Sequence, residues 1–132
     1  MKREIIIVIL ITICIFLLNA VTANYTNKNV KKMIESIDEL KGVAEASLGE
    51  NKKLEEIKEK INKIKSDWEE PNFIMSYYIE HDEIEKVNSS MVKFETSFNY
   101  KDYEEGLIEL ENCKYILNHI QDKNSIKIIN FF

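Results

Sequence analysis

From Ile5 to Leu18 the chain reads IIIVILITICIFLL, fourteen residues without a charge, and whatever this sequence folds into must accommodate a segment that is apolar on every side. At 1.5 Å per residue a helix of that length covers roughly 21 Å, short of the ~30 Å hydrocarbon core of a bilayer. Extension through Asn19, Ala20, Val21, Thr22 and Ala23 brings it to about 28 Å. Its Ile, Leu, Val and Phe residues, at about −0.3 to −0.6 kcal/mol each, outweigh one asparagine near an interface. The expectation is a membrane anchor over residues 1–23. A cleaved signal peptide competes with it, because Val21-Thr22-Ala23 supplies the small residues of a cleavage site. Ile13 before Cys14 argues against a lipoprotein site.

Either reading exports residues 24–132 as a helical domain. The expected location is the cell membrane, with a single pass through residues 5–23 and the domain outside the cytoplasm; secretion is the alternative. Lys2 and Arg3 favour a cytoplasmic N-terminus, although Lys28, Lys31 and Lys32 lie within reach on the other side, where they could rest on anionic head groups.

The remainder suffices for one modest core. Three glycines, one proline and an abundance of Glu, Lys, Ile, Leu and Asn point to an all-α fold. Val30, Met33, Ile34, Ile37, Leu40, Ala44 and Leu48 follow helical spacing, with Asn27 or Thr26 as cap and Gly49 as stop. Leu54, Ile57, Ile61, Ile64 and Trp68 keep an unbroken 3-4-3-4 spacing, like a coiled-coil seam. Pro71 suits the first turn of a third and longest helix, carrying Ile74, Tyr77, Tyr78, His81, Ile84, Asn88, Met91, Phe94 and Phe98 to about Tyr100. Asp102 is placed to cap a fourth, with Tyr103, Leu107, Leu110, Cys113, Leu117 and Ile120, ending near Gln121-Asp122-Lys123-Asn124. Ser125 to Phe132 reads as a short C-terminal helix with Ile126, Ile129 and Phe132 on one face. Connections of a few residues make the four helices antiparallel, as two helical hairpins.

The net charge of −5 disfavours nucleic acid as a partner, and the acidic excess falls after Pro71, where eleven acidic residues face six lysines. Cys14 lies in the apolar run and Cys113 far downstream in a helical stripe, so they form no intramolecular bridge. His81, among Glu80, Asp82, Glu83 and Glu85, invites a metal or titration reading, but His119 should point away from its own helix's apolar stripe and the two rings should not converge. Glu104 with Glu105 and Glu109 with Glu111 lie largely on a polar helix face. No phosphate loop, nucleophile elbow or ligand cluster is present in the sequence. No catalytic, cofactor or metal residue is therefore assigned, and an enzyme is not expected. Asn24-Tyr25-Thr26 and Asn88-Ser89-Ser90 match the glycosylation pattern only as an Asn-rich chain would by chance.

The short apolar N-terminus, Trp68, the runs Tyr78-Ile79-Glu80-His81-Asp82-Glu83-Ile84 and Leu117-Asn118-His119-Ile120, and the Asn130-Phe131-Phe132 end together resemble the uncharacterised bacterial domain-of-unknown-function family four-three-six-three. The resemblance covers nearly the whole chain. It implies an exported, membrane-anchored helical domain and brings no catalytic residue; Gly106 stands where that pattern favours alanine. The function expected is a non-enzymatic protein-interaction module, whose Tyr77, Tyr78, Phe94 and Phe98 region binds another envelope or membrane protein unless it is core. The alternatives are a small-ligand or metal sensor or carrier built on the bundle interior near His81, and a secreted regulatory protein released near Ala23.

Overall fold

The computed structural model describes residues 1–48 and 53–129, with side chains as far as Ser125 in the last helix. The described residues form four helices: α1 (Lys2–Ala46), α2 (Leu54–Met75), α3 (His81–Asn99) and α4 (Tyr103–Ile129). Consecutive helices run antiparallel, and cross-helix ion pairs record their register. Lys41 and Asp38 of α1 meet Glu111 and Lys114 of α4 at 2.6 and 2.7 Å, and Lys32 and Glu39 meet Asp67 and Lys60 of α2 at 3.4 Å each. Lys65 of α2 reaches Glu95 of α3 at 2.8 Å. Such rim pairs are worth about 0–1 kcal/mol each, and alignment is their main effect.

Stability comes from the stripes the sequence sets at helical spacing. Val30, Met33, Ile37, Leu40 and Ala44 of α1 close on Ile57, Ile61, Ile64 and Trp68 of α2, Ile84, Val87, Met91, Phe94 and Phe98 of α3, and Leu110, Cys113, Leu117 and Ile120 of α4. All are buried in one continuous core. Each aliphatic or aromatic chain in it contributes on the order of 1.5–3 kcal/mol by leaving water.

The helix boundaries differ from the sequence reading in four places. The apolar segment and the first domain helix are one unbroken helix, with no cap at Thr26 or Asn27. The polar residues that could have interrupted it are occupied: Thr22 Oγ1 donates to the Leu18 carbonyl, Asn29 to the Tyr25 carbonyl, and Thr26 is engaged by Tyr78. At its far end α1 stops at Ala46, so Leu48 is 59 % exposed instead of packed. Gly49 lies outside the described residues.

Pro71 falls within α2, near its end, and is buried; it does not open a third helix. The break comes after Met75, where Ser76 Oγ folds back onto the Asn72 and Phe73 carbonyls at 2.8 Å and Tyr78 turns in toward α1. Ile74 and Tyr77 therefore precede α3, and the longest helix is α1. Finally, α4 passes through Gln121–Asn124 to Ile129 without stopping, because Asn124 is buried against α1 and its polarity is satisfied there. Residues 125–129 continue α4; the side chains of Ile126, Ile129 and Phe132 lie outside the described residues.

The α3–α4 turn follows the expected cap and adds a detail. The Glu105 N–H donates to Asp102 Oδ1 at 3.1 Å, while Lys101 takes a left-handed conformation with φ 61°. The N–H groups of Lys101 and Asp102 bond to the carbonyls of Phe98 and Ser97, the two bonds of a Schellman ending with lysine in the position glycine usually fills.

Candidate functional site

The two halves of α1 have different surroundings. Lys2 to Val21 are exposed throughout, and the helix is long and apolar enough to cross a membrane. From Ala23, 4 % exposed, it belongs to the core. A polar collar marks the change. Thr26 Oγ1 and Tyr78 Oη share a hydrogen bond of 2.9 Å, and the Tyr78 hydroxyl also reaches the Thr22 carbonyl at 3.4 Å. From the other side Asn124 Nδ2 donates to the Ala23 carbonyl at 3.0 Å and lies 3.4 Å from Asn27 Oδ1. Partial burial raises the Tyr78 hydroxyl above its ordinary pKa against the opposing pull of Thr26, so it stays a protonated donor.

Beside the collar, Glu83 is a buried carboxylate in the first turn of α3, where the helix dipole favours negative charge. Lys123 Nζ donates to it at 2.8 Å and His119 Nε2 lies 3.5 Å away. The bond to Glu83 is the main cause that holds the Lys123 ammonium above its usual pKa. α3 and α4 are thereby joined at the same level at which α1 is gripped by the α2–α3 turn and α4.

The remaining sequence candidates are dispersed. His81 does not sit on the apolar face of a helix interior: it begins α3, with its side chain 84 % exposed and 3.7 Å from Glu85. The shift follows from the helix break at Met75, which turns the preceding residues away from the spacing read through Pro71. His119 faces Glu83, so the two imidazoles address different carboxylates. Glu104 and Glu105 are exposed; Glu109 pairs with Lys93 at 3.7 Å and Glu111 with Lys41. Among the described residues no group of three or more His, Cys, Asp or Glu is close enough to hold a metal. Burial, reinforced by Glu109, pushes the Cys113 thiol up to about 12, which leaves it un-ionised near neutrality. Phe94 and Phe98 are core, Tyr78 belongs to the collar, and Tyr77 is exposed, so the four aromatics do not form one surface.

Between α2 and α3, the least closely packed neighbours, runs a surface groove of about 400 Å³ lined by Lys65, Trp68, Asn72, Asn88, Met91 and Val92 among others. Trp68 Nε1 donates to Asn88 Oδ1 at 2.8 Å, and Asn88 Nδ2 in turn to Asn72 Oδ1 at 3.3 Å. The indole is thus satisfied on its polar edge while its rings fill the core.

The extent of the bundle coincides with a family boundary. The model of Domain of unknown function (DUF4363) matches residues 22–131, beginning at the collar and taking in α2, α3 and α4. The chain belongs to this family. No curated protein and no solved structure matches it. The DUF4363 match begins at Thr22, so the family's unit takes in Thr22 and Ala23, two of the three residues, Val21-Thr22-Ala23, that would compose a cleavage site. Sequence reasoning had no signal for the collar: Thr26 resembles a cap, and Asn124 sits in a polar run that reads as a helix end.

Proposed function

We propose that this DUF4363 protein is a membrane-anchored interaction module, not an enzyme, which keeps its apolar segment and carries its bundle outside the cytoplasm. The single observation that supports this most is the unbroken α1, exposed and apolar along its first half and built into the core along its second. Ala23 is helical, buried and hydrogen-bonded through its carbonyl, and protection of that kind opposes cleavage once the bundle has formed. A non-enzymatic role is supported by the acidic and histidine side chains: they are solvated or committed to ion pairs, and the Cys113 thiol is buried.

The partner proposed is another membrane or envelope protein, which an anchor would hold at high effective concentration. Protease treatment of intact cells should remove a C-terminal tag while the protein stays with the membrane fraction and retains residues 1–23. A tag protected until the membrane is breached would overturn export, and a mature N-terminus at Asn24 would overturn retention. Photo-crosslinkers at the exposed Val92 and Tyr115 should each give a position-dependent set of captured membrane proteins. Recovery at background from both faces would count against the interaction reading.

A further inference from the structure

We propose that Phe73 and Tyr77 form a lipid-contacting foot, which rests in the phosphocholine headgroup layer of the membrane that α1 crosses. Both are large and exposed, at 64 % and 77 %, and their rings stack edge to face with centroids 5.5 Å apart. Their position along the molecule selects the occupant. Tyr78, next in the chain, reaches Thr26 and the Thr22 carbonyl, which places this turn beside the point where α1 passes from exposed apolar helix into the bundle. Val21 and Leu18, 66 % and 64 % exposed, lie about one helical turn or less beyond Thr22. With α1 in a bilayer, the pair falls within the interfacial layer, roughly 5–7 Å thick on each side, where tyrosines and tryptophans concentrate.

Charge at this end narrows the lipid. Glu69, Glu70 and Asp82 are exposed around the α2–α3 turn and Glu80 there lies 3.4 Å from Lys123, while Lys28 and Lys31 of α1 are exposed at the same end, so neither sign of charge dominates and a zwitterionic surface is the match. The exposed Tyr100, by contrast, lies at the opposite end of the bundle, where no apolar helix emerges among the described residues.

The inference rests on the retained-anchor reading, and the experiment separates the two. The full chain is placed in phosphatidylcholine nanodiscs with a fluorescent label on the native Cys14, or, in a Cys14→Ser background, on Tyr77→Cys, Phe73→Cys or Tyr100→Cys; Cys113 is buried and stays in place. Labels at 73 and 77 should be quenched several-fold more strongly by lipid-borne nitroxide than the label at 100, which should respond to aqueous iodide. Two separate foot positions guard against disturbance by either substitution. A label at 14 quenched by lipid while 73 and 77 behave like 100 overturns the foot and leaves the anchor standing. Iodide access at 14 overturns the anchor, and the foot with it.

Discussion

The side-chain amide of Asn124 donates a 3.0 Å hydrogen bond to the backbone carbonyl of Ala23, joining residues 101 positions apart at the level where α1 enters the core. A buried amide at this place does more than fill space, because it fixes the last helix against the stretch of α1 whose small residues also read as a processing site.

Asn124→Ala should therefore lower stability by about 1–2 kcal/mol, through the lost bond and the unpaired acceptor at Asn27. Chemical denaturation of the purified full chain measures it. In cells the same change should increase any shortened form beginning at Asn24, read by N-terminal sequencing. No change in stability would show that the Asn124 bonds contribute nothing net.

Gly106→Ala improves helix propensity by about 1 kcal/mol on paper and should nevertheless destabilise. A Cβ built there lies 2.6, 2.8 and 2.9 Å from three atoms of the Phe98 ring, which is itself 1 % exposed and has no free direction to move. Overpacking of this sort costs about 1–3 kcal/mol. Thermal melting should fall for Gly106→Ala and recover in part for Gly106→Ala with Phe98→Leu.

Lys101→Gly should act in the opposite direction. Lysine at φ 61° pays a penalty that glycine avoids, about 1–2 kcal/mol, offset by the greater freedom of glycine in the unfolded chain, about 0.5–1 kcal/mol. A net gain of up to about 1.5 kcal/mol in denaturant unfolding is expected.

Cys113 should be silent to thiol reagents at pH 8 in the folded protein and react on unfolding, since burial holds it protonated to about 12. The linkage follows the same sign. The unfolded thiol loses its proton near its ordinary value of 9.0, the folded one only near 12, so between them the unfolded state binds fewer protons and stability falls as pH rises. Below 9 this contribution is fully present. Cys113→Ala should remove the part of the alkaline decline that belongs to this group, measured as melting temperature against pH.

The stripe of α2 was legible in the sequence because its apolar residues recur at helical spacing between polar or charged positions, and that of α4 by its spacing alone, since Ile108, Tyr115 and Ile116 fall between the stripe positions; Ile57, Ile61, Ile64, Trp68, Leu110, Cys113, Leu117 and Ile120 are all buried. Asp102 was legible as a cap for the same local reason, a short acceptor directly before a helix. What misled was local chemistry overridden at long range. Thr26 has the residue type of a cap, yet Tyr78, 52 positions away, takes its hydroxyl and the helix runs on. Pro71 has the look of a first turn, but only the turn held by Ser76 and Tyr78 ends α2, and with that displacement His81 moved from an interior face to an exposed helix start. Gly106 departs from the alanine that the family pattern favours, and the ring of Phe98 gives the reason for its missing side chain.

The absence of a joint in α1 makes it a lever. Forty-five residues in one helix amount to about 68 Å, of which the part from Ala23 to Ala46 spans about 35 Å. A tilt of about ten degrees imposed on the apolar arm would sweep the far turn sideways by about 6 Å, with the helices clamped along α1 carried along. Inclination at one end is thus converted into displacement at the other, with no hinge to absorb it.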